Sequence, residues 1–572
     1  MSAADSLGRM RHALRRAADR PWLAVLLGVA FALLGLTPGY IAGSGPYWQQ
    51  PSGDTATAQI GWQYYARDEW RWPLFAVGNY HDPEGSTVSL SDSLPLFALP
   101  AKAIYRASGW MPTYVGLWVA LCLASQAVCA LRLLVALGVD GVAGRVGGVL
   151  LFCYAPILLI RYGHATLMCQ FLILIALERY VTAKRDGGLS ARGWVALGVL
   201  PALAVLTHPY MAVMCAALVF ATVVDQWRER RLSLAAAAAR LGGSAALTLF
   251  VAVVGGIYRG GGRPFTDYGV YSLNLAAPFV PLAGTRLGFW LGTHQPNLPG
   301  THQWEGTAYL GAGVLLLGLF ALPALRNARA NLRRHGVLLA VVAALLVFAA
   351  SNRVGVGAHE LVRVPLPSGA MRALSVFRGS GRFVWIAVYA LLGAVLAAIA
   401  ARYGTRRGAL LIAAAAALQV ADVQPMQAAM RDLTAHAAPA TLDVARWTEL
   451  IAAHDRVFEF PSFECGGLFG NGIPGTRLRE LEIDWIAARQ GVPTNSAYLA
   501  RAIKDCARER ADAAANAGRP GVLYLYRSSG DVGGYLAAHG VDVSRCGDLD
   551  DVVVCSADRD LSGLRSEDVR AR

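Results

Sequence analysis

The chain has 572 residues, of which 55% are hydrophobic and only 16% charged. A soluble core of this size cannot hide that much apolar surface, so several membrane-spanning helices are required. The net charge of +14 falls in short clusters between apolar runs, which is the pattern of cytoplasmic loops and argues against a nucleic-acid binder.

The N-terminus is basic through residue 21 and then apolar, in PWLAVLLGVAFALLGLTPGYI. That run is about twenty residues long and ends without a small-x-small cleavage site, so a retained signal anchor is expected rather than a cleaved leader. With the N-terminus inside, eleven spans are predicted, at 22–42, 111–137, 144–160, 166–182, 194–207, 211–225, 238–257, 307–324, 336–350, 383–401 and 408–422. This alternation places RMRHALRRAADR, KRD at 184–186, RERR at 228–231, RNARANLRRH at 326–335 and RYGTRR at 402–407 on the cytoplasmic side. The outer side then receives a large loop at 43–110, the short turn RYGHAT at 161–166, a Gly/Pro-rich segment at 258–306 and the loop 351–382. Within the first loop, LPLFALPAKAIYRAS is too short to span and reads as an interfacial or re-entrant helix. Trp62, Tyr64, Tyr65, Trp70 and Trp72 suit a juxtamembrane helix resting in the interface.

The membrane region thus covers 22–422, and residues 423–572 form a polar outer domain of mixed α/β type. RVFEFP, GVLYLYR and DDVVVC have the β-branched and aromatic content of strands. RELEIDWIAARQG and SAYLARAIKDCARERADAAANAG read as helices closed by glycine. Five of the nine cysteines lie in spans, and Cys465, Cys506, Cys546 and Cys555 lie in the tail. An even number in an external domain points to two disulfides; Cys546 and Cys555 can close a hairpin-like loop, which leaves Cys465 with Cys506. Zinc is the rival reading, but no C-x-x-C or nearby His pair supports it.

The polar groups at the outer face are the candidates for chemistry. Asp54, in GDTATAQ, fits a helix N-cap by local sequence. Its place at the bilayer surface equally fits a general base that takes a proton from a hydroxyl attacking a phosphate-held donor. Arg378 and Arg382 of FRGSGRF stand against the positive-inside bias, and their forked guanidiniums suit a phosphate; snorkelling at a helix end is the plainer reading. Arg161 can contact the same phosphate, beside His164 in the RYGHAT turn. His164 is a second catalytic candidate, while His208 in LTHPY and Glu305 in QWEGTAYLG are placed as acceptor or supporting groups. Glu305 also suits the positive end of the helix it opens. Asp92 is a supporting candidate in a loop whose composition favours turn roles.

There is no P-loop and no G-x-S-x-G or H-E-x-x-H. No metal site is assigned, and a divalent cation has no support. The layout of a first helix, a large outer loop with an early acid, many spans and an outer C-terminal domain resembles the GT-C-type integral membrane glycosyltransferases. GDTATAQIGWQYYARDEWRWPL, YHDPEGSTVSLSDSLPLFALPAK, RYGHATLMCQ, THPY, EGTAYLG and FRGSGRFVW more closely resemble a largely uncharacterised family of bacterial multi-pass membrane proteins. The resemblance implies a mainly helical GT-C-like membrane domain, a polyprenyl-phosphate sugar as donor, and Asp54 as general base of an inverting transfer. It further implies an envelope glycan, lipid or protein as acceptor, in the bacterial inner membrane with the tail in the periplasm. One departure stands out: the next outer loop, where many members carry a second acid, offers His164 and no carboxylate. The alternative class is a non-catalytic polysaccharide or lipid transporter, or an envelope assembly component. The scarcity of charge inside the spans weighs against coupled transport.

Overall fold

The structure is a computed structural model that describes residues 21–257, 266–323, 333–470, 476–501, 503–516, 518–528 and 542–564. The N-terminal basic cluster and most of RNARANLRRH lie outside the described residues. Two compact units emerge: Met1–Ile41 with Gly116–Val251 and Pro264–Ala435, and Ala42–Val115 with Ala252–Arg263 and His436–Arg572.

The first unit is helical. Five described helices are long and apolar enough to cross a membrane, namely Val115–Ala136, Ala165–Asp186, Pro209–Arg228, Leu234–Gly255 and Ser380–Ala435. Five shorter apolar helices accompany them, Trp22–Gly35, Val142–Cys153, Ala191–Val205, Ala312–Ala321 and Gly336–Ala350. Each of the eleven predicted spans falls on one of these helices. Two of them share Ser380–Ala435, which is interrupted at Gly404 (φ 68°, ψ −179°). The shorter helices fall below the roughly 20 residues that a crossing takes. Local sequence accounts for two of the early ends: Pro156 follows Val142–Cys153 after a turn, and Pro201 divides Ala191–Gly198 from Leu200–Val205. The last helix runs to Ala435, past the boundary near 422 that its apolar stretch indicates.

Helix polarity sorts charge within this unit. Phe171–Asp186 ends in Lys184 and Arg185, and Pro209–Arg228 ends at Arg228. Lys184 is buried there and paired with Asp225 and Glu229, each at 2.5 Å. The starts of Pro209–Arg228 and Val384–Ala435 form the opposite end, where the candidate site lies.

The second unit joins the large loop to the tail. A four-stranded sheet runs in the order 456–460, 522–527, 552–556, 547–549, parallel at the first pairing and antiparallel at the others. Alternation gives it two faces. Val457, Leu523, Leu525, Val552 and Val554 share a core with Trp447 and Ile451 of helix Val444–Ala452 and Ile483 of helix Thr476–Gln490. Phe458, Tyr524, Tyr526 and Cys555 pack on the other face. The large loop binds this domain through backbone: Thr494 bridges both Tyr80 and Val457, Asp82 N–H donates to Thr494 O at 2.9 Å, and Ala500 N–H donates to Leu90 O at 2.7 Å. Helix Gly53–Arg67 is buried along most of its length, and Tyr64 Oη donates to Val492 O at 2.9 Å.

The expected second tail helix is reduced to Cys506–Asn516. Upstream backbone N–H groups are taken by other acceptors: Ile503 and Lys504 donate to Glu464 Oε2 at 2.9 and 2.8 Å. Disulfides Cys465–Cys506 and Cys546–Cys555 are both formed, with Cα–Cα distances of 5.3 and 4.4 Å. The first closes a sequence separation of 41, against 9 for the second. Paired Cys465→Ser and Cys506→Ser replacement is therefore expected to cost about 4 kcal/mol on the loop-entropy scale, against about 2.7 kcal/mol for the other pair. Denaturant titration of the tail unit checks the order, and the reverse ranking would contradict it.

Candidate functional site

Three turns of the helical unit build the centre. Arg161 follows the turn Pro156–Leu159, Glu305 lies in the 3-10 turn Gln303–Gly306, and Arg382 lies in the 3-10 turn Ser380–Phe383 that opens the last long helix. Glycine lets two of these turns touch. A Cβ on Gly381 would stand 2.5 Å from Gly306 Cα, and one on Gly306 would stand 2.5 Å from Ser272 O. Gly381→Ala is accordingly expected to force the turns apart, costing about 1–3 kcal/mol and loosening the Glu305–Arg382 pair. A thermal midpoint equal to wild type would show that the turns yield freely.

Glu305 is the hub. Its Oε2 accepts from Arg161 Nη1 at 2.8 Å and from Arg382 Nε and Nη2 at 3.1 and 3.0 Å. Arg161 Nη2 also donates to the Glu305 backbone oxygen at 2.6 Å. All three side chains are largely buried, where such charge-assisted bonds are strong and breaking one partner is costly. Burial alone would raise the Glu305 carboxyl, but Arg382, Arg161 and His164 together hold it down to about 2. Aromatic faces back the guanidiniums: Arg382 lies 5.0 Å from the Tyr210 ring and Arg161 5.6 Å from that of Trp385. Tyr210 is itself fixed, accepting the Gly379 N–H at 2.8 Å and stacking on Phe383 at 5.5 Å.

The two histidines sit beside this centre, with ring centroids 5.9 Å apart. His208 caps helix Pro209–Arg228, its Nδ1 accepting from Tyr210 N–H at 3.3 Å. Arg378, four residues before Arg382, lies 5.5 Å from the Tyr271 ring. Asp267 faces Arg378; burial raises its carboxyl above the ordinary value, and the guanidinium offsets part of that rise.

Asp422 is a positioning residue that no sequence motif marks. Buried in the last long helix, it accepts from Tyr309 Oη at 2.9 Å and from the N–H groups of Ala312 and Leu287 at 3.2 and 3.0 Å. It thus anchors the EGTAYLG segment that carries Glu305. An acid inside an apolar span was the available signal.

Asp54 and Asp92 belong to the second unit. Ser52, not Asp54, occupies the N-cap of helix Gly53–Arg67, and half-buried Asp54 lies in the first turn. Asp92 sits in a left-handed conformation (φ 54°), followed closely by Leu94 at φ 55°. That turn is pressed on the Asp54 helix at Gly61, where a Cβ would meet Ser91 Oγ at 2.1 Å. A buried leucine held at positive φ is a costly conformation of the kind that clusters at functional sites.

These features define a bundle of apolar helices with a guanidinium–carboxylate centre at one end, carried together with a mixed α/β unit. The chain belongs to the DUF6311 family: the profile of that domain of unknown function matches residues 25–424, and the DUF6311 C-terminal domain matches residues 446–557. No curated protein matches the sequence. Among solved structures, the oligosaccharyltransferase of Archaeoglobus fulgidus in its apo form is similar at 10% identity and a TM-score of 0.44, over 91% of this chain and 68% of that one. The same organism's oligosaccharyltransferase AglB, in complex with an inhibitory peptide and a dolichol-phosphate, gives 10% identity and a TM-score of 0.43 over 83% and 64%. A likeness this loose assigns neither substrate nor reaction.

Proposed function

We propose that this protein is a GT-C-type inverting glycosyltransferase that moves a sugar from a polyprenyl-phosphate donor to an envelope glycan, lipid or protein. In this reading the chain crosses a bacterial inner membrane eleven times, with residues 1–21 cytoplasmic, 22–422 forming the membrane domain and 423–572 periplasmic. The observation that carries it is the convergence of Arg161 and Arg382 on one buried carboxylate, at the helix ends opposite those bearing Lys184, Arg185 and Arg228. Partly desolvated guanidiniums at that level suit a phosphate that cannot leave the bilayer surface.

The roles follow. Arg161 and Arg382 hold the donor phosphate, with Arg378 adding positive field. Asp54 takes the proton of an acceptor hydroxyl as its oxygen attacks the anomeric carbon. The bond from that carbon to the phosphate oxygen breaks, and polyprenyl phosphate leaves with the electron pair. His164 takes the role that many GT-C members give to a second acid, and Asp92, His208 and Glu305 support the site.

Purified protein in nanodiscs, supplied with polyprenyl-phosphate sugars and an envelope fraction as acceptor, is expected to release polyprenyl phosphate. Release that is the same without the protein, for every donor tried, would leave the non-catalytic transport or assembly role as the better account.

A further inference from the structure

An apolar cavity of about 530 Å³ opens in the helical unit beside the turn that carries Arg161. Ile160 and Tyr162, the neighbours of Arg161, form one wall. Gly284, Phe289 and Trp290 form a second, and Met426 of the last long helix a third. Arg161 itself turns to Glu305, so one turn serves both the cavity and the guanidinium–carboxylate centre. The volume falls within the roughly 300–1,000 Å³ of ligand pockets.

The rim carries a cation for a reason that lies in the backbone. Pro425 sits inside helix Val384–Ala435 and has no N–H, which leaves Ala421 O without its intrahelical donor. Arg286 supplies one: its Nε donates to Ala421 O at 2.8 Å and its Nη2 to Gln424 Oε1 at 3.1 Å. Both acceptors are neutral, and a guanidinium carries five N–H donors, so charge and donors remain for a ligand. Arg286 is exposed and lines the cavity, as do the exposed rings of Phe289 and Trp290 on the same short helix, Arg286–Leu291.

We propose that this cavity is a phospholipid site selective for an anionic headgroup, one acyl chain filling it and the phosphodiester meeting Arg286. Apolar walls take a chain and reject a polar ligand, because burying unpaired polar groups is costly. Exposed aromatics on a bundle of apolar helices turn the mouth toward lipid rather than water. The forked guanidinium suits a phosphate oxygen pair. The proposal needs only the cavity and Arg286, and stands whether or not the protein transfers a sugar.

The test uses the full chain in phosphatidylcholine nanodiscs, doped with phosphatidylglycerol or phosphatidylcholine that carries a photoreactive acyl chain. Labelled peptides are mapped by mass spectrometry, with Leu249, Phe250 and Val253 of the exposed helix Leu234–Gly255 as the reference for bulk lipid. Relative to that reference, the phosphatidylglycerol probe is expected to label the Tyr162, Trp290 and Met426 peptides about tenfold more than the phosphatidylcholine probe. Arg286→Gln should bring the two probes level. Gly284→Phe should remove cavity labelling by both: a Cβ there stands 3.6 Å from Met426 Cγ, an ordinary contact, so the ring enters the cavity without displacing backbone. Comparing the probes separates loss of headgroup selectivity from loss of fold, which would lower labelling by both. Equal cavity labelling in the wild type, a preference that survives Arg286→Gln, or labelling that persists in Gly284→Phe would each overturn the proposal. So would displacement of the probe by undecaprenyl phosphate but not by unlabelled phosphatidylglycerol, which would give the cavity to a polyprenyl tail.

Discussion

Asp54→Asn is expected to lower sugar transfer by about 10²–10⁴-fold, the range that a positioned general base contributes, while the protein remains folded. The second half of that statement is what gives the first its force. Ser52, not Asp54, is the N-cap residue of helix Gly53–Arg67, so the replacement leaves that position unchanged. The helix is held by its buried side from Thr55 to Ala66 and by the Tyr64 hydroxyl on Val492 O. Asparagine forfeits a charge in the first turn, worth about 0.3–1 kcal/mol through the helix dipole. A shift of the thermal midpoint by more than a few degrees would mean that loss of activity reported unfolding instead. Transfer at the wild-type rate by a folded Asp54→Asn protein would remove Asp54 from the chemistry. Asp54→Glu is the companion, since it keeps a base and moves it; partial activity there separates loss of proton transfer from loss of donor binding.

The sequence carries the helical unit in legible form because both of its signals are local. Apolar runs mark helices and the basic clusters between them mark one set of helix ends, as the placement of Lys184, Arg185 and Arg228 illustrates. The two disulfides were also within reach, since an even count and one short loop left a single remaining pair. Contacts between distant segments were not legible. The fusion of the large loop with the tail rests on Thr494, which bridges Tyr80 and Val457 through backbone that carries no sequence pattern. The same limit hid the centre itself. Glu305 reads locally as an acid near the start of a helix, and only the approach of Gly306 to Gly381 turns it into the partner of Arg161 and Arg382. Arg378 and Arg382 look equivalent in FRGSGRF, and it is the turn Ser380–Phe383 that brings Arg382 onto Glu305. Lys504 and its neighbours carry helical propensity that the acceptor Glu464 overrides.

The second large effect concerns stability and pH, and it arises from three acids buried in the second unit. Glu459, Asp484 and Glu480 are each at most 3% exposed. Burial pushes Glu459 up to about 8 and Glu480 up to about 7, and burial followed by the nearby Glu459 and Glu480 pushes Asp484 well above its ordinary value. Opposing burial are a Ser496 hydrogen bond and then Lys504 at Glu459, and the backbone of Phe469 and Leu468 and then Arg527 at Glu480; Lys504 is itself paired with Glu509 at 3.7 Å. The sign follows from proton counting. Above about pH 4.5 the unfolded chain releases protons that the folded unit retains, so unfolding gains and stability falls as pH rises. The loss continues until pH passes about 8, where the folded Glu459 ionises as well. At about 1.4 kcal/mol per pKa unit, Glu459 alone is worth on the order of 5 kcal/mol across that window. The tail unit is therefore expected to be more stable at pH 5.5 than at pH 8.5, against the usual trend for acids held in ion pairs. Asp484→Asn deletes one of the three titrations and eases Glu459, so it should raise the thermal midpoint at pH 8.5 and flatten its pH dependence. Melting curves of the full protein at the two pH values decide the matter. A pH slope in Asp484→Asn equal to that of the wild type would show that these carboxyls ionise without cost in the folded unit.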